Sequence, residues 1–359
     1  AWLDFVNSPE VLARAEQARG NWSQYVMAPF ARLQAEFPER QFTGMHILAS
    51  GSIPLASGLS SSSAVVVATL EALLHLNSIE LAPERFVELC GEGEWFVGTR
   101  GGAADHAAMK YGRRGTVVQV GFFPFRQVTM VDFPAGYALV VCNSLIRAQK
   151  TEGAKDIYNQ RVACYHIGRE LFKQEFPQYA ERIAHLRDIN AETLEVPYQE
   201  LLGMLTRLPM TITREEICAR LDAEFCHRIF AGQSESIRDY PVRPVVMFGL
   251  AEMERSARAP EVLGCGDITT FGRMMNISHD GDRVVRWVDS AAIPFQEDYT
   301  DARLAALADP ALIELSGAYA CSLPQIDFMI DTALSVEGVA GAQLAGAGLG
   351  GCIMVLVKP

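Results

Sequence analysis

The chain has 359 residues, is 49% hydrophobic and carries a formal net charge of −12. That length suits one large or two ordinary domains with a substantial core. The acidic balance, with no basic run, argues against nucleic-acid or acidic-membrane surfaces and leaves a small molecule as the better partner. Eight cysteines, at 90, 142, 164, 218, 226, 265, 321 and 352, form no CxxC pair and mostly lie in apolar runs. They read as reduced, buried thiols of a cytoplasmic protein rather than disulfides or a metal site. No segment reaches the ~18 apolar residues of a membrane span, and no charged-then-apolar leader opens the chain.

In chain order, "NWSQYVMAPFARLQAEF" repeats its apolar residues at helical spacing. "FTGMHILASGSIP" alternates like a half-buried strand closed by Pro54. Ser62 to Leu76 has the pattern of a buried helix, and Pro83 opens a second in "APERFVELCGEGEWFVG". A glycine turn from Gly98 to Gly102 leads into "ADHAAMKYG", and three strands are expected in "GTVVQVGFF", "RQVTMVDF" and "YALVVCNSLI". Residues 153 to 238 read mainly as helices, among them "TREEICARLDAEFCHRIF". "PVVMFGLAEMERSARAPEVL" and "DITTFGRMMNISHDGDRVV" continue that pattern. The end is expected to be a helix, a glycine-rich loop and a terminal strand. With no repeat and no low-complexity linker, a boundary near residue 150 would be a packed one.

Three stretches could carry chemistry. "GLSSSSAVVVA" places serines at the positive end of a helix, an arrangement that suits a phosphate and equally an ordinary cap. It lacks the lysine of a Walker loop. "AGAGLGG" has glycines at 346, 348, 350 and 351 that permit close backbone approach, but a strand follows them, against the Rossmann order. In "GEGEWFVGTRGGAADHAAMKYG", Asp105 follows Gly102 by three residues and could accept a proton from a substrate hydroxyl, or cap a helix.

In this order the stretches resemble the GHMP kinase superfamily, most closely its galactokinase branch. "IPLASGLSSSSAVVVA" resembles P-x-G-x-G-L-S-S-S-A, with Ala56 for a glycine and Ser63 for the alanine. "FVGTRGGAADH" resembles F-x-G-x-x-C-G-x-x-D-Q, with Gly101 for Cys and His106 for Gln. "NSLIRAQKTEGAKDIYNQRVACYHIGREL" resembles the segment with Tyr-x-x-R before a helix, and "LAGAGLGGCIMVLV" resembles T-G-A-G-F-G-G-C. The likeness runs from about Trp22 to the end. "GTRGG", "YNQRVACYH" and "EEICARL" are similar to the N-acetylgalactosamine kinase subgroup.

The resemblance implies a two-lobed α+β fold, with a ribosomal protein S5 domain 2-like N-terminal lobe over 1–150 and a ferredoxin-like C-terminal lobe over 151–359. It implies ATP and Mg²⁺ as cofactors, no nucleic-acid or membrane partner, and a monomer or weak dimer. Carried over by residue, Asp105 would face the anomeric hydroxyl of the sugar, and Gly102 and Tyr158 would line its pocket. Gly58, Ser60, Ser61 and Ser62 would hold phosphates; Gly346, Gly348 and Gly350 would shape the loop beside sugar and nucleotide. Ser62 and Glu94 would meet Mg²⁺, with Glu92 as the rival glutamate. The first family motif, G-R-x-N-x-x-G-E-H-x-D-Y, is missing; "ISHDGDR" carries His279 and Asp280 but neither its Gly-Glu nor its place. The chain is therefore expected to be truncated at both ends. The function implied is an ATP-dependent 1-kinase for galactose or a close relative. The alternatives are an impaired sugar- and ATP-binding regulator, or a kinase for N-acetylgalactosamine or galacturonate.

Overall fold

Ser61–Leu76 folds as one helix because Val66, Leu70, Leu73 and Leu74 recur on a single face, and all four are buried. Each such side chain contributes roughly 1.5–3 kcal/mol on leaving water. They pack with Leu33 of helix Ser23–Glu36 and with Phe86, Val87, Leu89 and Cys90 of helix Pro83–Glu94. In this computed structural model the residues described are all but 1, 19–20, 56, 99–101, 123–124, 147–151, 231–232, 307–311 and 347. Ala56 and Gly101, two departures from the family pattern, therefore lie outside the described residues.

The chain divides into two compact units, Ala1–Phe133 and Pro134–Pro359. The first opens with two short helices, Trp2–Val6 and Pro9–Gln17, the second started by Ser8 as side-chain cap and Pro9. The three core helices follow, then helix Ala104–Tyr111 and an antiparallel pair, Thr116–Gly121 with Arg126–Asp132.

The second unit holds a three-stranded antiparallel sheet in the order Ala138–Asn143, Cys352–Val357, Val339–Leu344. The terminal strand is central and largely buried, as its unbroken apolar run requires. Helix Pro324–Leu334 lays Ile326 and Ile330 on this sheet. A larger all-helical core gathers Ile167 and Leu171 of helix Glu152–Glu175 with Val245 and Val246 of helix Val242–Gly264. The mixture of helices and antiparallel sheets is the α+β class that the resemblance implies. No helix among the described residues is long and apolar enough to cross a membrane.

Several sequence expectations give way. Residues 42–54 form no strand: Leu48 is 98% exposed, and the Thr43 amide donates to the Asn77 side chain rather than to a neighbouring strand. Alternation alone makes no strand where no partner backbone lies alongside. "TREEICARLDAEFCHRIF" is two helices, Arg214–Arg220 and Ala223–Phe230, because the Asp222 carboxylate accepts the Phe225 amide and caps the second. The helix over "DITTFGRMMNISHDGDRVV" ends at Asp282, and its Val-Val enters a hairpin, Val285–Val288 with Ala291–Pro294. Asp289 and Ser290 both take positive φ there, as a two-residue hairpin turn demands. An additional strand, Val339–Leu344, precedes the glycine loop, so that loop is the turn of a β-hairpin.

Candidate active site

The serine stretch is a tight turn delivered into a helix. The Ser57 hydroxyl donates to the Pro54 carbonyl at 2.8 Å, Gly58 takes φ 76° and Ser60 takes φ 55°. A serine in the left-handed region is strained, a cost of order 1–2 kcal/mol. Ser60 occupies the cap position without a side-chain capping bond, and the first intrahelical bond runs from the Ala64 amide to the Ser60 carbonyl. The amides of Ser61, Ser62 and Ser63 thus precede the hydrogen-bonded ladder, at the positive pole of a four-turn helix. Ser60, Ser61 and Ser62 are half-buried and Gly58 is exposed.

The fourth serine turns inward. Ser63 Oγ donates to Glu94 Oε1 at 2.8 Å, and His106 Nε2 lies 3.3 Å from the same oxygen. All three side chains are buried. Gly91 makes this meeting possible: a Cβ there would come within 2.9 Å of the Ala103 side chain, just ahead of the helix that carries His106. Glu92 points elsewhere, bound to Arg32 at 2.6 Å and 3.5 Å from Arg85. Of the two glutamates only Glu94 reaches the serine helix, and it does so through Ser63. Ser63 and His106 were noticed in the sequence only as departures from the family pattern. That the two flank one carboxylate is a pairing across 43 positions that no local signal reports.

Asp105 is exposed in the first turn of helix Ala104–Tyr111, and Gly102 is exposed three residues before it. The cap reading of Asp105 fails, because Ala103 holds the cap position and Asp105 is the second helical residue. Its side chain therefore stands at the helix start without a capping duty. Ser60, Ser61, Ser62, Gly58, Glu94, Gly102 and Asp105 all belong to the first unit.

In the second unit, Tyr158 projects from helix Glu152–Glu175 with 36% of its surface exposed. Burial of the remainder, then the neighbouring Cys321 sulfur, pushes its phenol above the usual value. Gly346, Gly348, Gly350 and Gly351 all take positive φ, as does Leu349. At Gly348 a Cβ would stand 2.1 Å from the Cys321 carbonyl oxygen, which accepts the Leu349 amide at 2.7 Å. Tyr158 and the glycine loop therefore share one neighbour, Cys321. The loop is also tied to the strand Ala138–Asn143: Ser144 Oγ donates to the Gly351 carbonyl at 2.6 Å.

His279 and Asp280 serve structure. His279 Nε2 lies 3.2 Å from Asp327 Oδ1, both fully buried, and Asp280 pairs with Arg283 and Arg286.

Residues 24–113 match the GHMP kinases N terminal domain. That span contains the serine turn, Glu94, Gly102 and Asp105. The chain belongs to the GHMP kinases, on their galactokinase branch. Galactokinase of Dictyostelium discoideum is 25% identical over 352 residues, covering 95% of this chain and 67% of that protein. Galactokinase of Roseiflexus is 26% identical over 346 residues, covering 96% and 68%. The chain thus spans about two thirds of the length of these relatives. Among solved structures, Lactococcus lactis galactokinase complexed with galactose superposes with a TM-score of 0.60 at 20% identity, over 94% of this chain and 67% of that one. This GHMP kinase is a galactokinase-like phosphotransferase.

Proposed function

We propose that this GHMP kinase is an ATP-dependent sugar 1-kinase that phosphorylates the anomeric hydroxyl of galactose or a close relative. The observation that carries the reading is an exposed carboxylate, Asp105, free of a capping role, in the same compact unit as the uncapped amides of Ser61 to Ser63. The first group offers a base for a hydroxyl, and the second offers donors for phosphate oxygens.

Phosphoryl transfer needs positioning and charge stabilisation more than covalent chemistry. In this reading Gly58 lets the backbone approach the nucleotide, and Ser60, Ser61 and Ser62 present amides and hydroxyls to its β- and γ-phosphates. Asp105 orients the sugar hydroxyl and takes its proton as the new O–P bond forms. Gly102 and Tyr158 line the sugar, and the Gly346, Gly348 and Gly350 loop supports it.

Mg²⁺ suits the donor set: a buried carboxylate, Glu94, beside hydroxyls at a helix start is the hard-oxygen environment it takes, together with phosphate oxygens. Among the described residues no group of three His, Cys, Asp or Glu could cage a metal alone, in keeping with an ion that arrives on the nucleotide. Ser62 and Glu94 would hold it, and it would neutralise phosphate charge during transfer.

The test is sugar-dependent ADP release across galactose, N-acetylgalactosamine and galacturonate, with Asp105→Ala beside the parent. Loss of a general base predicts a ~10²–10⁴-fold fall in kcat with ATP affinity retained. Turnover by Asp105→Ala at the parent rate removes the reading. Sugar and ATP binding without turnover by the parent supports the regulator instead.

A further inference from the structure

The last turn of helix Ile268–Asp282 carries a short strap, Tyr319 to Ser322, by its backbone. The amides of Tyr319 and Ala320 donate to the Gly281 carbonyl at 2.7 and 3.0 Å, and the Ser322 amide donates to the Asp282 carbonyl at 2.8 Å. The remaining amide of the strap, that of Cys321, donates to the Asp282 side chain. Four consecutive amides are thus taken up by two residues, and Asp282 holds both that flank the Cys321 side chain. Arg161 Nε secures the strap from the opposite side, at 2.5 Å from the Tyr319 carbonyl. Ala320 takes φ 53°, a strained conformation this grip maintains.

The strap supports both features of the second unit that are assigned to the sugar. Its Cys321 carbonyl accepts the Leu349 amide and sits where Gly348 leaves room, and its Cys321 sulfur neighbours Tyr158.

We propose that Asp282 is a positioning residue that sets the Gly346–Gly351 loop and Tyr158 together, acting through the Tyr319–Ser322 strap. Its effect on turnover rests on the sugar-kinase reading above; its hold on the loop does not.

The surroundings make the grip dependent on charge. Burial first, then the charges of Glu252 and Asp327, push the Asp282 carboxyl up to about 7, while the Cys321 amide works against them. Tyr165 of helix Glu152–Glu175, and Tyr319 and Cys321 of the strap, also face this carboxyl. His279, one turn earlier, is occupied with Asp327. An ionised carboxylate accepts the Cys321 amide about twice as strongly as a neutral acid does. Above neutrality the strap is held firmly, and below it the hold on the loop relaxes.

The test compares amide hydrogen exchange of segments 319–322 and 345–351 at pH 6 and pH 8, each corrected for intrinsic rate, in the wild-type chain and Asp282→Asn. Wild type is expected to show about tenfold greater protection at pH 8 in both segments, against no step in helix Tyr198–Leu205 of the same unit. Asp282→Asn should show no step. Absence of the step in wild type overturns the proposal, as does its persistence in the variant. If the variant fails to fold, the wild-type comparison between loop and reference helix decides alone. In parallel, the sugar KM should rise several-fold from pH 8 to pH 6 in wild type, and be high and flat in the variant, with kcat less affected. If neither protein turns over a sugar, the kinase reading fails while the exchange result still decides the role of Asp282.

Discussion

Replacing Asp282 by Asn should stabilise the protein, and only above acidic pH. In the folded chain its carboxyl is raised from 3.8 to about 7, chiefly by burial. Below pH ~4 both folded and unfolded chains carry the proton, so the group contributes no pH dependence. Between the two values the unfolded chain releases the proton while the native chain keeps it, so stability falls as pH rises. At ~1.4 kcal/mol per unit the shift amounts to as much as ~4 kcal/mol, fully expressed once pH passes 7. Asn reproduces the shape of the neutral acid and cannot ionise. The variant should match wild type at pH 4 and exceed it by as much as ~4 kcal/mol at pH 8, or ~10 °C in melting temperature for a unit of this size. Urea unfolding followed by circular dichroism at half-unit pH steps measures the difference. A gap that does not change between pH 4 and pH 8, or a variant less stable at pH 8, refutes the reasoning. The wild-type residue would then be retained at a stability cost, as is common where function needs a charge.

Two further substitutions test the two halves of the site. Gly348→Ala should cost ~2–4 kcal/mol, from left-handed strain and from a Cβ driven against the Cys321 carbonyl at 2.1 Å, which also breaks the Leu349 bond; a loss under ~0.5 kcal/mol in calorimetry would mean that the loop is not seated there. Ser63→Ala removes a buried donor from Glu94 and should cost ~1–3 kcal/mol in denaturant unfolding, whereas Ser61→Ala, half-buried and without that contact, should cost little; equal losses would contradict the geometry.

Where information was local, it was legible in the chain. The apolar spacing of Val66, Leu70, Leu73 and Leu74 determined the serine helix, Pro83 opened the next, and the run "CIMVLV" announced a buried terminal strand. Serines before a helix, a carboxylate after a glycine turn and a glycine loop before a strand also pointed to phosphate and hydroxyl chemistry, because each places its chemistry within one turn of its own backbone.

What the tertiary structure decided was every pairing across distance. Strand Ala138–Asn143 finds its partner at Cys352–Val357, while residues 42–54, which alternate as convincingly, find none. Glu94 rather than Glu92 meets the serine helix because the helix face, not the glutamate, chooses the neighbour, and His106 reaches the same oxygen from a third element. Asp282 shows the limit most sharply. In sequence it is one acid in "ISHDGDR"; in space, burial, Glu252 and Asp327 raise its carboxyl into the neutral range and aim it at Cys321. Periodicity records which face of an element is apolar, but hydrogen-bond partners and desolvation exist only after distant segments have packed.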